Sequence, residues 1–492
     1  MNKFWILLPI IYPLITGAIL PLFRFKERKS RNIYTEVVTI INSIFVWMLL
    51  TNAPEGTFRA LNLAGDLEIT FHIDGLGSVF AGLVSVLWPL ATLYAFEYME
   101  HLGKENTFFA FYIMTYGITI GIAFAANLMT LYMFYEMLTL VTLPLVMAGM
   151  SREAIMAGRK YILYSMGGAA FAFIGFIFIF TFGTSMNFVP GGVLTGAGLV
   201  GREKLMRWVY VLAVMGFGVK AAIFPFHGWL PSASIAPTPV TALLHAVAVV
   251  KAGAFAIIRI TYYSFGADFL HGTFAQYIVM SFAIVTIVYG SVRAYREPHL
   301  KRRLAYSTVS NLSYIIFGAS LMTPLGLTAA LSHMIYHAVV KITLFFCAGA
   351  VLCKTHREYV RELDGLGRKM PVTFAAFTIG SLAVVGIPPL PGFISKWNLC
   401  TAAVKEGSGW AYAGVAALLV SALFTALYMF TIVIRSYFPK ADFDYKTLDG
   451  VKDPTWQMCL PFVVFVVMIV LLSFTGSQLI GYFESIAELM AR

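Results

Sequence analysis

Apolar runs of about 20 residues recur from one end of the chain to the other, separated by short polar connections marked by proline, glycine or basic residues. A helix of that length spans the ~30 Å hydrocarbon layer of a bilayer. The pattern predicts fourteen spans, at about 4–23, 33–52, 75–96, 107–126, 128–149, 155–182, 207–231, 237–262, 272–292, 301–322, 325–353, 371–403, 410–436 and 456–482. Between spans 2 and 3 lies a polar loop with Glu55, Asp66, Glu68 and Asp74. Its segment LEITFHID alternates apolar and polar side chains and predicts a short surface hairpin. A tight turn near Asn127 joins spans 4 and 5, and a glycine-rich connection, 183–206, follows span 6. The expected fold is all-α, a polytopic membrane protein.

Two of the spans break their own pattern. The stretch from Lys220 to Lys251 carries two lysines, two histidines (His227 and His245) and four prolines inside an apolar region. Pro225, five residues after Lys220, removes a backbone donor and clashes with the preceding turn, so span 7 is expected to break there. Span 12 is interrupted by GIPPLPGF, with Pro388, Pro389 and Pro391, shortly before Lys396. Freed backbone groups at membrane depth are tolerated only where protein or water satisfies them. Each broken span is fourth in a run of five, and five is odd, so the two runs enter from opposite faces. Matching discontinuous spans in two halves are the mark of inverted repeats with a site at their interface. The expected division is an N-terminal region 1–106 (spans 1–3), a first repeat 107–262, a second repeat 272–436, and a C-terminal region 437–492 holding span 14.

Composition agrees with a membrane protein. Of 492 residues, 59% are hydrophobic and 12% charged, about half the charged fraction of a soluble protein. The first span lacks an obvious small-residue cleavage site and reads as a retained helix. The net charge of +11 does not point to nucleic acid, because the cations cluster in short loops: Arg24 to Arg31, Arg152 to Lys160, Arg293 to Arg303 and Lys354 to Lys369. With fourteen spans and both termini outside, all four loops fall on the cytoplasmic side, as the positive-inside rule demands. Cys347, Cys353, Cys400 and Cys459 show no C-x-x-C spacing and imply no iron–sulfur or zinc site. No glycine-rich phosphate loop and no nucleophilic triad is found outside the spans, so no cofactor is expected in this chain.

The candidate chemistry is therefore titratable. A charge at the bilayer centre costs roughly 2.5–3.5 kcal/mol on insertion scales, which makes an ionisable residue in a span a functional candidate. Glu136 stands alone in LMTLYMFYEMLTLVTLPLVM; the bland alternative is a charge that pairs only to lock helices. Lys220, Lys251 and Lys396 have apolar neighbours in sequence, against the alternative of snorkelling to the interface. His333, His337 and Lys341 recur every fourth residue on one helix face over ~12 Å, a spacing suited to a proton relay. H-x-x-x-H also suits a metal, but no acidic ligand accompanies it. His245 precedes Lys251 by six residues and is either a relay member or a satisfied core histidine.

Four motifs, YEMLTLVTLPLV, FPFHGWLPSASIAPTPVTALLHA, ALSHMIYHAVVKITLFFCAGAV and GIPPLPGFISKW, resemble those of the antiporter-like subunits of respiratory complex I. That family includes the large subunits of Mrp-type Na+/H+ antiporters and of membrane-bound hydrogenases. The resemblance covers about residues 70–435 and implies fourteen helices, inverted repeats and a central polar axis. By motif match, Glu136 resembles the family's helix-5 glutamate, Lys220 its helix-7 lysine and Lys396 its helix-12 ionisable residue. His333, His337 and Lys341 match the helix-11 bridge between half-channels. His245 resembles the L-type pattern, whereas Lys251 resembles the M, N and Mrp D types. The lysine at 396 departs from the glutamate of the M type, and no long lateral helix follows span 14. This mixture is closest to an Mrp D-like or hydrogenase-type subunit.

The expected function is a proton-translocating subunit of a multi-subunit ion-pumping complex, moving H+ with or without Na+ in a prokaryotic cytoplasmic membrane. Its implied partners are other membrane subunits and lipid, not nucleic acid. Whether that complex is a redox enzyme is left open by the sequence. The alternative is a stand-alone secondary transporter of a small solute, which the same broken helices would serve.

Overall fold

Within hydrocarbon every backbone donor and acceptor must be satisfied inside the segment, so apolar runs become helices. The computed structural model describes residues 2–23, 25, 27–65, 67–100, 103–195 and 199–490. Arg24, Lys26 and Asp66 of the predicted loops lie outside the described residues, as do 196–198 of the glycine-rich connection.

Helix α1 (Leu8–Ile19), extended by a 3-10 turn at each end, is followed by α2 (Arg28–Thr51). Strands β1 (Phe58–Ala64) and β2 (Leu67–Phe71) then pair antiparallel, the predicted hairpin. Helices α3 (Gly75–Met99), α4 (Glu105–Ala123), α5 (Leu128–Val146) and α6 (Arg152–Phe182) come next. The hairpin lies on the α4–α5 turn: Asn127 caps α5 through Thr130 N at 2.7 Å and donates to Glu68 O at 2.8 Å.

Predicted span 7 is α7 (Glu203–Gly218), an irregular stretch, a 3-10 turn and α8 (Trp229–Ala233). Span 8 is also divided, into α9 (Thr238–Ala246) and α10 (Val249–Arg259), the latter running into a π-helical turn, Ile260–Phe265. This second break carries no proline; Ala248 N skips to Leu243 O and leaves the α-helical register. The short α11 (Ala267–Leu270) leads to α12 (Phe274–Arg296), α13 (Leu300–Ser320) and the 32-residue α14 (Pro324–Thr355). After α15 (Leu366–Lys369), span 12 is split into α16 (Pro371–Val385) and α17 (Pro391–Glu406) around its prolines. α18 (Gly409–Tyr437) precedes the C-terminal pair α19 (Trp456–Phe474) and α20 (Gly476–Met490).

That pair corrects one expectation: span 14, read as a single helix over about 456–482, ends at Phe474 and restarts at Gly476. The C-terminal region 437–492 thus holds two long helices. α20 has an amphipathic face whose Phe483, Ile486 and Ala487 are buried, and Ile486 covers Gly75 at the start of α3.

Among the described residues eleven helices are long and apolar enough to cross a membrane. Predicted spans 7, 10 and 12 are not among them. Proline divides the first and last into short pieces, and α13 is rich in Lys, Arg, Ser and Thr. The chain is an integral membrane protein. Its centre is identified by burial: the best window of the α9–α10 span is 100% buried and that of α14 is 89% buried, against 39% for α6 and α18 and 28% for α19. The segments that carry His245, Lys251, His333, His337 and Lys341 are therefore among the innermost.

Three ion pairs, each with at least one buried member, tie the periphery to this centre. Arg31 pairs with Glu105 (α2 to α4), and Arg259 with Asp74 (α10 to the start of α3). Lys354 reaches Glu97 at 2.7 Å, while Glu97 also accepts from Thr455 Oγ1 at 2.5 Å, joining α14, α3 and α19. In each pair the cation meets a carboxylate, which a buried charge requires to offset its desolvation.

Candidate functional site: a buried row of lysines and histidines

Lys220 lies two residues past the end of α7, where the chain leaves the helix before Pro225. Close approach to α10 is possible because residue 253 is glycine; a Cβ there would sit 2.9 Å from Lys220 C and 2.5 Å from Ala221 N. Trp229 Nε1 donates to Val219 O at 2.7 Å and pins the far side of the break. The Lys220 side chain, 1% exposed, donates to Tyr135 O, and its ammonium stands 3.3 Å from the Tyr135 ring centre. Glu136 Oε1 is 3.7 Å from Lys220 Nζ, and that carboxylate is 28% exposed. The pair thus has one dry member and one at the edge of the fold. Two residues singled out separately in the sequence, Glu136 and Lys220, are thus brought together by the fold.

The second group is centred on α14. Lys251 Nζ, on α10, meets His337 Nδ1 at 2.6 Å. His337 stacks on His333 with ring centres 5.7 Å apart, and His333 stacks on Tyr314 of α13 at 5.1 Å. His333 Nδ1 is 3.0 Å from Ser395 Oγ on α17. Lys396 donates to the carbonyls of Val384 and Val385 at 2.8 Å each, and its ammonium lies 5.6 Å from the Tyr314 ring centre. Those carbonyls are at the end of α16, where Pro388, Pro389 and Pro391 replace helical donors. The lysine therefore supplies hydrogen bonds that the break removed. A cavity of about 10 Å³ is lined by His333, His337, Ser395 and Lys396, roughly one water's worth of space.

Two predicted members stand apart from this run. Lys341 shares the α14 face with the histidines but donates to Leu304 O of α13 at 3.1 Å. His245 is fully buried against the Phe345 ring at 4.8 Å, and both its ring nitrogens are buried without a hydrogen-bond partner among the described residues. A satisfied core histidine would have one. Pro225 caps the 3-10 turn Phe226–Gly228 at the span-7 break.

Sequence reasoning missed Tyr314 and Ser395, which contact the histidines, and the Asp74–Arg259 pair. It also counted Lys301 and Arg303 among loop cations, whereas both are buried. The signal was in the helical phase: Lys301 precedes the buried Leu304, Ala305 and Thr308 at offsets of 3, 4 and 7.

A polytopic helical fold with broken helices around a row of buried lysines and histidines defines a class, the polytopic membrane proteins that carry ionisable groups inside their helical bundle. The chain belongs to the NADH:quinone oxidoreductase/Mrp antiporter transmembrane family, whose profile matches residues 125–425. It is 33% identical over 372 residues to the N subunit of the NADH-quinone oxidoreductase of Desulforudis audaxviator, covering 75% of this chain and 73% of that one. It is 30% identical over 417 residues to the A subunit of the Na+/H+ antiporter of Alkalihalophilus pseudofirmus, spanning only 51% of that longer protein. The fold is like that of a chain in the archaeal membrane-bound sulfane sulfur reductase (TM-score 0.87, 23% identity, 99% of this chain and 97% of that one). It is also like that of a chain in the Mrp complex from Dietzia (TM-score 0.84, 20% identity, with the same coverage).

Proposed function

We propose that this chain is an antiporter-like subunit of a multi-subunit ion-pumping membrane complex, and that it moves protons through its buried row of Glu, Lys and His. The run Lys396–Tyr314–His333–His337–Lys251 carries this reading. It crosses from α17 through α13 and α14 to α10, and each neighbouring pair is in hydrogen-bond or ring contact. Imidazole takes up and releases protons near neutral pH, and a lysine beside it can do the same when out of water. Glu136 and Lys220 form the outer pair, accessible through the partly exposed carboxylate. In this reading the two broken spans belong to inverted repeats at 107–262 and 272–436 within fourteen spans. The basic loops face the cytoplasm of a prokaryote, and Na+ is a coupled ion where the complex uses one. The assembly is of the kind named for the family's members, a quinone oxidoreductase or an Mrp-type antiporter. A solute transporter fits less well, because the space at the row is about 10 Å³, far below the ~300 Å³ or more of small-molecule pockets.

The test is His333→Gln/His337→Gln, which keeps hydrogen bonding and approximate volume but removes the titratable rings. Expected is a loss of at least tenfold in proton uptake by vesicles holding the assembled complex, with normal subunit content. Uptake at the wild-type rate across pH 6–8 would refute the row as the path.

A further inference from the structure

We propose that Lys301 is the group that passes protons between the face bearing the basic loops and the buried row, an inference that rests on the proton-path reading above. Lys301 is in the first turn of α13 and is 5% exposed. Its ammonium donates to Ala236 O at 3.0 Å, in the bend between α8 and α9. One turn further along α13, Leu304 O accepts from Lys341. His245 stands on α9, the helix that starts two residues after Ala236. Its ring meets Phe345, one turn beyond Lys341 on α14. Three elements thus bring Lys301, Lys341 and the unpartnered His245 together beside the row, with Lys341 one helical turn after His337 on α14. On the other side, His299, two residues before Lys301, is 3.4 Å from Glu358, whose side chain is about half exposed. Water, Glu358 with His299, Lys301, and then Lys341 with His245 form a graded series from surface to interior.

The cation's partners separate this role from that of a clamp. The cations that hold helices together here, Arg31, Arg259 and Lys354, each meet a carboxylate. Arg303, which ties α13 to α18, holds two carbonyls with a guanidinium that does not release its proton. Lys301 makes no ion pair among the described residues and donates to a carbonyl, as do Lys341 and Lys396. A clamp on one carbonyl needs only a neutral donor, whereas an unpaired buried ammonium carries a desolvation cost of several kcal/mol. The transfer is of H+ alone: the Lys301 ammonium gives its proton to a neutral His245 ring or Lys341 amine, and is reprotonated from the His299–Glu358 mouth.

The experiment compares Lys301→Arg, Lys301→Gln and Lys301→His with His333→Gln/His337→Gln in vesicles carrying the whole complex, scoring subunit content and proton uptake. Arginine preserves charge and the bond to Ala236; histidine, shorter, preserves release of the proton. Expected are normal subunit content, at least tenfold slower uptake in the Arg and Gln variants, and faster uptake in His than in Arg at pH 6–7. Wild-type uptake in Lys301→Arg, uptake faster in Arg than in His, or loss of assembly in all three would overturn the proposal. If the histidine double variant is slow while Lys301→Arg is not, the Lys301 route alone is wrong; if that double variant transports normally, the row itself is wrong.

Discussion

Gly392→Ala is predicted to disable transport through a displacement that can be read from the structure. Gly392 lies in the first turn of α17, directly beneath the end of α16. A Cβ there would stand 1.8 Å from Ala383 O, against the 3.0 Å below which such contacts essentially never occur. The two half-helices must therefore separate by about 1.2 Å, since the obstacle is backbone and not a flexible side-chain end. Ala383 immediately precedes Val384 and Val385, whose carbonyls hold Lys396 at 2.8 Å. Moving α17 by that amount lengthens both bonds to about 4.0 Å, beyond hydrogen-bond range. It also draws Ser395 away from His333. Overpacking of this kind costs about 1–3 kcal/mol of stability, a cost that a large membrane complex is expected to survive. A misplacement of about 1 Å is worth up to ~10²-fold in rate where groups must be aligned. The assay is proton uptake per assembled complex in vesicles, with subunit content scored by immunoblot. Gly409→Ala, with open space around the new methyl, serves as the control and is expected to match wild type. Wild-type uptake in Gly392→Ala at normal subunit content would refute the claim that the α16–α17 junction positions Lys396.

Glu136→Ala and Lys220→Ala are each predicted to abolish pumping while the complex still assembles. Lost incorporation with normal pumping per remaining complex would make the pair a structural lock instead. Arg259→Met is predicted to be mainly a stability variant: it leaves Asp74 without its bidentate partner and removes ring contacts to Phe255 and Tyr263. Breaking a buried pair costs about 3–5 kcal/mol, so thermal unfolding in detergent should fall by several degrees. An unchanged unfolding midpoint would contradict that assignment.

The approximate positions of most spans, the hairpin and both proline breaks were legible in the chain, because each is a local property. An apolar run folds as a helix wherever it lies in hydrocarbon, and proline interrupts whichever helix contains it. The break between α9 and α10 was not legible, since it involves no proline and depends on how Val247 and Ala248 pack in the fully buried interior. The interruption at Thr475 depends in the same way on where α20 finds cover, over Gly75 of α3. Sequence spacing placed His333, His337 and Lys341 on one face, yet the ammonium at His337 belongs to Lys251, and Lys341 turns to α13. Lys301 looked like its neighbour Arg302 in a run of cations, but only the packing of α13 turns the first inward and leaves the second exposed. An ionisable group in an apolar segment must find a partner, and its type and position declare that need. The partner is chosen among groups brought close by helices distant in sequence, so it is a property of the packed bundle alone.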